Sequence, residues 1–166
     1  MARWLVLAFG LLLAGCGFTP VHAPPAGNAE AVAVERAANQ VRIQPIPERI
    51  GQMVHNNLQT HLNPKGQPRQ PKYLLTVALE EIVRETGFRK DETATRANLE
   101  LSANYQLVSA EDGEVVMRGR IRSINSANIL EQPYATTVGE RDARERGAED
   151  VAARIAQDVA SRLREM

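Results

Sequence analysis

The chain of 166 residues carries 20 basic and 20 acidic side chains, three histidines and one cysteine, and is neutral overall at pH 7. A general nucleic-acid binder would be distinctly basic, so nucleic acid is not an expected partner. A lone thiol excludes an internal disulfide, and the length suits one domain with its own hydrophobic core.

Met1-Ala2-Arg3 gives a short basic start, an apolar run follows over residues 4–13, and Ala14-Gly15 stand directly before Cys16. This order of basic, apolar and small residues predicts a lipoprotein signal peptide over residues 1–15. A membrane-spanning helix needs about 20 mostly apolar residues, and Gly17, Thr19 and Pro20 break the run first. Leu13-Ala14-Gly15-Cys16 fits the lipobox, in which the thiol receives a diacylglycerol and cleavage falls immediately before it. Cys16 is therefore the expected lipid-attachment residue. Each buried methylene contributes about 0.8 kcal/mol, so two or three acyl chains make a durable membrane anchor. Residues 17–39 are rich in Ala, Pro and Gly without an apolar period, and 16–39 reads as a lipidated N-terminus with a flexible tether. Gly17 in place of an aspartate favours sorting to the outer membrane, on its periplasmic side. The folded domain is expected over residues 40–166.

That domain opens with Val41-Arg42-Ile43-Gln44-Pro45-Ile46, a short alternating strand stopped by prolines. Pro47 suits the first turn of a helix, and Ile50, Met53, Val54, Leu58 and Leu62 recur at helical spacing up to Asn63-Pro64-Lys65-Gly66. A Pro-rich loop leads to three strand-like stretches: Tyr73, Leu75, Val77 and Leu79; Leu99, Leu101, Ala103, Tyr105 and Leu107; and Val115, Met117 and Ile121. Asp112-Gly113 marks a hairpin between the last two, and the charged stretch Glu85-Thr86-Gly87-Phe88-Arg89-Lys90-Asp91-Glu92 forms a loop or hairpin tip between the first two. A long helix is expected over residues 138–164, with Val151, Ala152, Ile155, Val159 and Leu163 as its apolar stripe and Glu140, Arg141, Arg144, Glu145, Arg146 and Glu149 on a solvated face. The order β-α-β-β-β-α predicts an α+β fold, a four-stranded mostly antiparallel sheet with two helices packed on one face.

Chemistry-bearing clusters are sparse. His22 lies in the tether, while His55 and His61 do not share a face of the first helix, so no metal site is expected. The H-E-x-x-H, G-x-S-x-G and Walker A patterns are missing, and Glu80-Glu81 and Asp91-Glu92 read as solvated charge. No catalytic residue or cofactor is expected, and the chain reads as a binding or assembly protein. Its most unusual feature is Arg118-x-Arg120-x-Arg122. Alternate residues of a strand share a face, so these guanidinium groups point away from Met117 and Ile121. Two readings stay open: the arginines pair across the sheet with Glu100 and Glu80, or they form a docking stripe for phosphate or carboxylate groups, which arginine grips in a bidentate manner. Arg84, Arg89, Lys90 and Arg96 add to the stripe if the charged loop folds nearby.

An ordered set of segments runs through the mature chain: Cys16-Gly17-Phe18-Thr19-Pro20, Arg49-Ile50-Gly51-Gln52 with Asn57-Leu58, Tyr73-Leu74-Leu75-Thr76-Val77, and Asp91-Glu92-Thr93-Ala94-Thr95-Arg96. It continues with Ala103-Asn104-Tyr105-Gln106-Leu107 and with Asn128-Ile129-Leu130 before Pro133-Tyr134-Ala135. Together they resemble the lipopolysaccharide-assembly lipoprotein family LptE in its alphaproteobacterial form. The resemblance implies an outer-membrane lipoprotein that sits in the lumen of the LptD-type β-barrel, supports its assembly and helps pass lipopolysaccharide to the outer leaflet. In that setting Arg118, Arg120, Arg122, Arg96 and Lys90 become candidate lipopolysaccharide-binding residues, through the phosphates of lipid A. The family often carries tyrosine in the Ser-x-Asn step where this chain has Ala127. An auxiliary lipoprotein of a lipid-trafficking ABC transporter is the alternative with the same anchor and a small α/β domain.

Overall fold

The computed structural model describes residues 40–88, 94–129 and 132–166. The expected signal, Cys16, the tether with His22, the loop residues Arg89, Lys90, Asp91 and Glu92, and Leu130 lie outside the described residues. Among the described residues the chain forms β1 (Val41–Ile43), α1 (Glu48–Leu62), β2 (Tyr73–Phe88), β3 (Ala94–Ser109), β4 (Val115–Asn128) and α2 (Pro133–Arg164). The strands lie side by side in the order β1-β2-β3-β4. β1 runs parallel to β2, while β2, β3 and β4 form an antiparallel meander. This is the expected α+β architecture and element order.

Period-two alternation divides the sheet into a dry face and a wet one. Leu75 and Val77 of β2, Leu99, Leu101, Ala103, Tyr105 and Leu107 of β3 and Ala127 of β4 are buried. They meet α1 through Val54, Leu58 and Leu62, and α2 through Ala148, Val151, Ala152, Ile155 and Val159. A second small cluster joins Ala97, Leu99 and Ala127 to Ala143 under the N-terminal half of α2. Fully burying an aliphatic side chain contributes about 1.5–3 kcal/mol, so these positions carry most of the stability. The solvated face of α2 holds pairs at one-turn spacing, Arg141 with Glu145 and Arg144 with Glu140 among the residues expected there, and also Arg146 with Asp142 and Arg154 with Asp150. Exposed pairs of this kind contribute about 0.3–0.5 kcal/mol each.

Several boundaries differ from the sequence pattern for physical reasons. β1 ends at Ile43, and the Gln44 N–H is the last to reach β2, donating to the Leu75 carbonyl at 2.9 Å before Pro45 and Pro47 lead the chain out of the strand. Pro47 sits just outside α1 as its N-cap, with φ −66° and ψ 167°, rather than in the first turn. Ile46 folds back over the helix start, and a Cβ on Gly51 would stand only 2.7 Å from Ile46 Cγ2 and 2.9 Å from its carbonyl oxygen, so the Arg49-Ile50-Gly51-Gln52 segment needs a glycine there. β2 extends to Phe88, taking in Glu85 to Phe88 that had read as loop, and α2 starts at Pro133 rather than at residue 138. The β3–β4 connection is the expected hairpin: the Gly113 N–H donates to the Ser109 carbonyl at 3.0 Å and the Ser109 N–H to the Glu114 carbonyl at 2.8 Å.

One polar contact ties the C-terminal half of α2 to the sheet. The Tyr105 hydroxyl donates to Asp158 Oδ2 at 2.5 Å. The ring crosses β4 directly over Gly119, where a Cβ would collide with Tyr105 Cζ and Oη. Burial, followed by the bond to the Asp158 carboxylate and its charge, pushes the phenol well above its ordinary pKa. A hydrogen bond to a charged group contributes about 1.5–3 kcal/mol, so Tyr105→Phe is expected to lower stability by that order in urea melts. An unfolded tyrosine releases its proton near pH 10, while the folded one holds it. The contribution is therefore complete below pH 10 and lost as the pH rises above it. Tyr105→Phe is expected to remove that part of the alkaline loss, measured as the urea midpoint between about pH 8 and 11.

Candidate functional site

The helix-free face of the sheet is built from the even-numbered residues of β2, β3 and β4. The registers align them in cross-strand rows: Thr76, Gln106 and Arg118; Ala78, Asn104 and Arg120; Glu80, Ser102 and Arg122; Ile82, Glu100 and Ile124; Arg84, Asn98 and Ser126; Thr86, Arg96 and Asn128. Arg118, Arg120 and Arg122 thus occupy three successive rows at one border, all exposed and about 7 Å apart along the strand. Arg118 rims a shallow depression of about 360 Å³ with Thr76, Ala78, Asn104 and Gln106. The amides of Asn104 and Gln106 stand directly opposite Arg120 and Arg118. Two forked cations beside two neutral donors form a surface suited to a multivalent oxyanion such as a phosphate.

Pairing within the face is partial. Glu100, its side chain only 15% exposed, receives Arg122 Nη1 at 3.3 Å and lies 3.8 Å from Arg84 Nε, so one carboxylate bridges two arginines. Arg118 and Arg120 have no charged partner among the described residues. Glu80 does not pair with the stripe: it shares a row with Arg122, but Ser102 intervenes, and two strand spacings amount to about 10 Å. Arg96 lies on the same face opposite Asn128, three rows beyond Arg122, about 20 Å along the strands. The structure therefore does not bring Arg96 to the stripe, and Lys90 lies outside the described residues. Ala127, where a tyrosine had been weighed, points the other way: it is buried under α2, and a Cβ on Gly139 would lie 3.9 Å from its methyl.

A second concave region, on the helical face, is not visible in the sequence. A groove of about 510 Å³ lies between the start of α1 and the N-terminal half of α2, lined by Ile50 and Met53 with Glu48, Arg49, Glu81, Arg141, Arg144 and Glu145 around them. Arg144 Nε meets Glu81 at 2.8 Å on its floor. Glu48 at its rim has φ +66°, the one non-glycine residue in the left-handed region among those described. Non-glycine residues held in this sparsely populated region cluster at functional sites. Among the described residues no group of three or more His, Cys, Asp or Glu is placed to hold a metal ion, and no helix is long and apolar enough to cross a membrane.

The family model for lipopolysaccharide assembly, LptE, matches residues 29–163, which take in every element of the fold. The chain belongs to the LptE family. Lipopolysaccharide assembly is thus the process to which it contributes. Solved structures with the same fold include a lipoprotein from Caulobacter crescentus (TM-score 0.66, 23% identity, 80% of this chain and 96% of that one). A minor lipoprotein from Acinetobacter baumannii (0.59, 13%, 75% and 94%) and the rare lipoprotein B from Shewanella oneidensis (0.57, 10%, 74% and 92%) share it as well. No curated protein sequence matches the chain. At these identities the structures establish the fold alone, and the family match carries the process.

The outward face of this LptE-family chain also yields a test of its energetics. Arg84 and Arg122 are 64% and 61% exposed, so solvent screens their attraction to Glu100. Glu100→Gln is expected to cost less than about 1 kcal/mol in a urea melt. A larger loss would mean that the bridge holds the sheet together rather than merely tying down one end of the arginine stripe.

Proposed function

We propose that this LptE-family chain is an outer-membrane lipoprotein, anchored through Cys16 on the periplasmic side, that fits inside an LptD-type β-barrel. There it supports assembly of the barrel and helps pass lipopolysaccharide outward. Residues 1–15 act as the signal, 16–39 as the lipidated N-terminus and tether, and 40–166 as the folded plug. The family match over residues 29–163 carries this reading. The lipobox Leu13-Ala14-Gly15-Cys16 supplies the anchor. A rigid domain with one wet face suits the polar interior of a large barrel, and its role is binding rather than catalysis.

Within this reading Arg118 and Arg120, aided by Asn104 and Gln106, contact the phosphates of lipopolysaccharide. Arg122 is partly held back by Glu100. Replacing Arg118 and Arg120 with glutamine is expected to weaken lipopolysaccharide binding by about tenfold or more at low salt, with the circular dichroism spectrum unchanged. Added salt is expected to narrow the difference. Equal affinity of the two proteins would return the stripe to a merely solvated face.

The assembly role is tested by recovering the tagged, lipidated chain from membrane extracts. A large barrel in stoichiometric amount is expected; inner-membrane transporter subunits in its place would favour an auxiliary transporter lipoprotein. Cys16→Ser is expected to move the protein from the membrane to the soluble fraction. Mass spectrometry that finds an unmodified thiol on the native protein would remove the anchor from the proposal.

A further inference from the structure

The sheet has three borders along which main-chain groups lack a neighbouring strand, and they are not treated alike. At β1 the free groups are taken up by side chains: Gln67 Oε1 accepts from the Ile43 N–H at 3.1 Å, and Asn63 Nδ2 donates to the Val41 carbonyl at 2.9 Å. At β4 the outward-pointing groups belong to the even residues, among them Arg118, Arg120 and Arg122, and the Ser126 carbonyl accepts from Arg146. Charged side chains on an edge strand are a usual guard against strand addition.

The third border is β2 beyond β1. β1 pairs only with Tyr73, Leu74 and Leu75, whereas β2 pairs with β3 in one unbroken register from Tyr73 to Thr86. The Tyr73 N–H and Leu75 carbonyl bond toward the β1 side, and a strand's main-chain groups alternate sides. Val77, Leu79, Glu81, Val83 and Glu85 therefore aim their N–H and C=O groups at the open border. No backbone bond takes them up among the described residues. This stretch has no proline and no bulge, and Val83 on its helix-facing side is 47% exposed.

We infer that this open half-edge of β2 takes an extended polypeptide segment of the barrel partner, basic in character, laid down as an additional strand in line with β1. A regular row of alternating donors and acceptors is satisfied in register only by another main chain, which selects polypeptide over lipid. Side chains of an added strand alternate between two settings. On the helical side they meet Val83 and the groove with Ile50 and Met53. On the wet side they stand beside Glu80 and beside Arg84, whose charge is shared with Glu100 at 3.8 Å. Glu48, Glu80 and Glu85 have no charged partner among the described residues, against Arg49 as the unpaired cation of the groove, so lysine or arginine in the added strand is complementary. The left-handed Glu48 sits where such a strand would pass. The partner's identity rests on the assembly reading above; the docking edge does not.

The test is amide hydrogen exchange at residue resolution on the lipidated chain, alone and in its native membrane complex. In the free protein the amides of Leu79, Glu81, Val83 and Glu85 are expected to exchange quickly, while Ala78, Glu80, Ile82 and Arg84, bonded to β3, are protected. In the complex the first set is expected to slow by about tenfold or more. Val83→Pro removes an edge N–H without breaking a β2–β3 bond, so the variant is expected to fold, lose that protection and recover about fivefold less barrel. Glu80→Lys with Glu85→Lys keeps the main chain intact and is expected to reduce recovery as well. Fast exchange at the four edge amides in the complex overturns the docking edge, as does full barrel recovery by both variants. Protection that comes from a second copy of the chain, seen by cross-linking from a photoreactive amino acid placed at position 83, overturns the choice of partner. A complex that protects the edge yet contains no barrel overturns the assembly reading and leaves the docking edge standing.

Discussion

Everything in this domain depends on the register between its two longest strands. Tyr73 faces Ser109 and Thr86 faces Arg96 with no interruption between them. Because the side-chain period is two, a slip of one residue would put the apolar sets of the two strands on opposite faces, turning either Leu75 and Val77 or Leu101 and Leu107 to water and bringing Arg84, or Arg96 and Glu100, under the helices. The apolar area at stake fixes the register. That same register sends the polar residues of β3 to the wet face, and it sends the main-chain groups of the odd β2 residues to the open border. Core, candidate anion face and candidate docking edge are three consequences of one alignment.

The two helices secure the dry face unevenly. α2 spans it from Ala143 to Leu163, whereas α1 covers only the half near β1. Tyr105 and Asp158 fasten one end of α2, and Arg144 with Glu81 fastens the other. Among the described residues no side chain fills the space between the start of α1 and α2 over the distal half of β2, and the groove lies there. Its apolar floor of Ile50 and Met53 is a by-product of the amphipathic stripe of α1, which runs one turn further than β1 can use.

The order of elements, the outward arginines and the Asp112-Gly113 hairpin were legible because each is a local pattern. Two apolar periods and one turn dipeptide suffice to name them. The reach of β2 was not legible, because Glu80-Glu81 breaks the alternation of apolar residues. Glu81 lies on the helical side, at an exposed position, and pairs there with Arg144, 63 positions away in the sequence. Of the two carboxylates expected to pair with the stripe, Glu100 does so through Arg122 and Glu80 does not, and the row alignment behind this was not legible locally. A bulge at Leu107 and Val108 displaces β4 by one residue, so counting back from the turn aligns the wrong residues across β3. Strand order then puts Ser102 between Glu80 and Arg122, and it leaves Glu100 as the bridging carboxylate.

The proposed anion face and the charged border of β4 involve the same arginines, and the two roles would not compete. Side chains leave a sheet perpendicular to it, while main-chain groups lie in its plane. Arg118 and Arg120 can therefore hold an anion above the sheet while their charge keeps a foreign strand from the edge of β4. The distal half of β2 carries Glu80 and Glu85 beside Arg84, which leans toward Glu100 at 3.8 Å, and Glu81 is already paired with Arg144. A basic extended segment would meet three arginines at the border of β4 and two unpaired carboxylates, Glu80 and Glu85, at the distal border of β2, and this asymmetry is what the proposed docking edge uses.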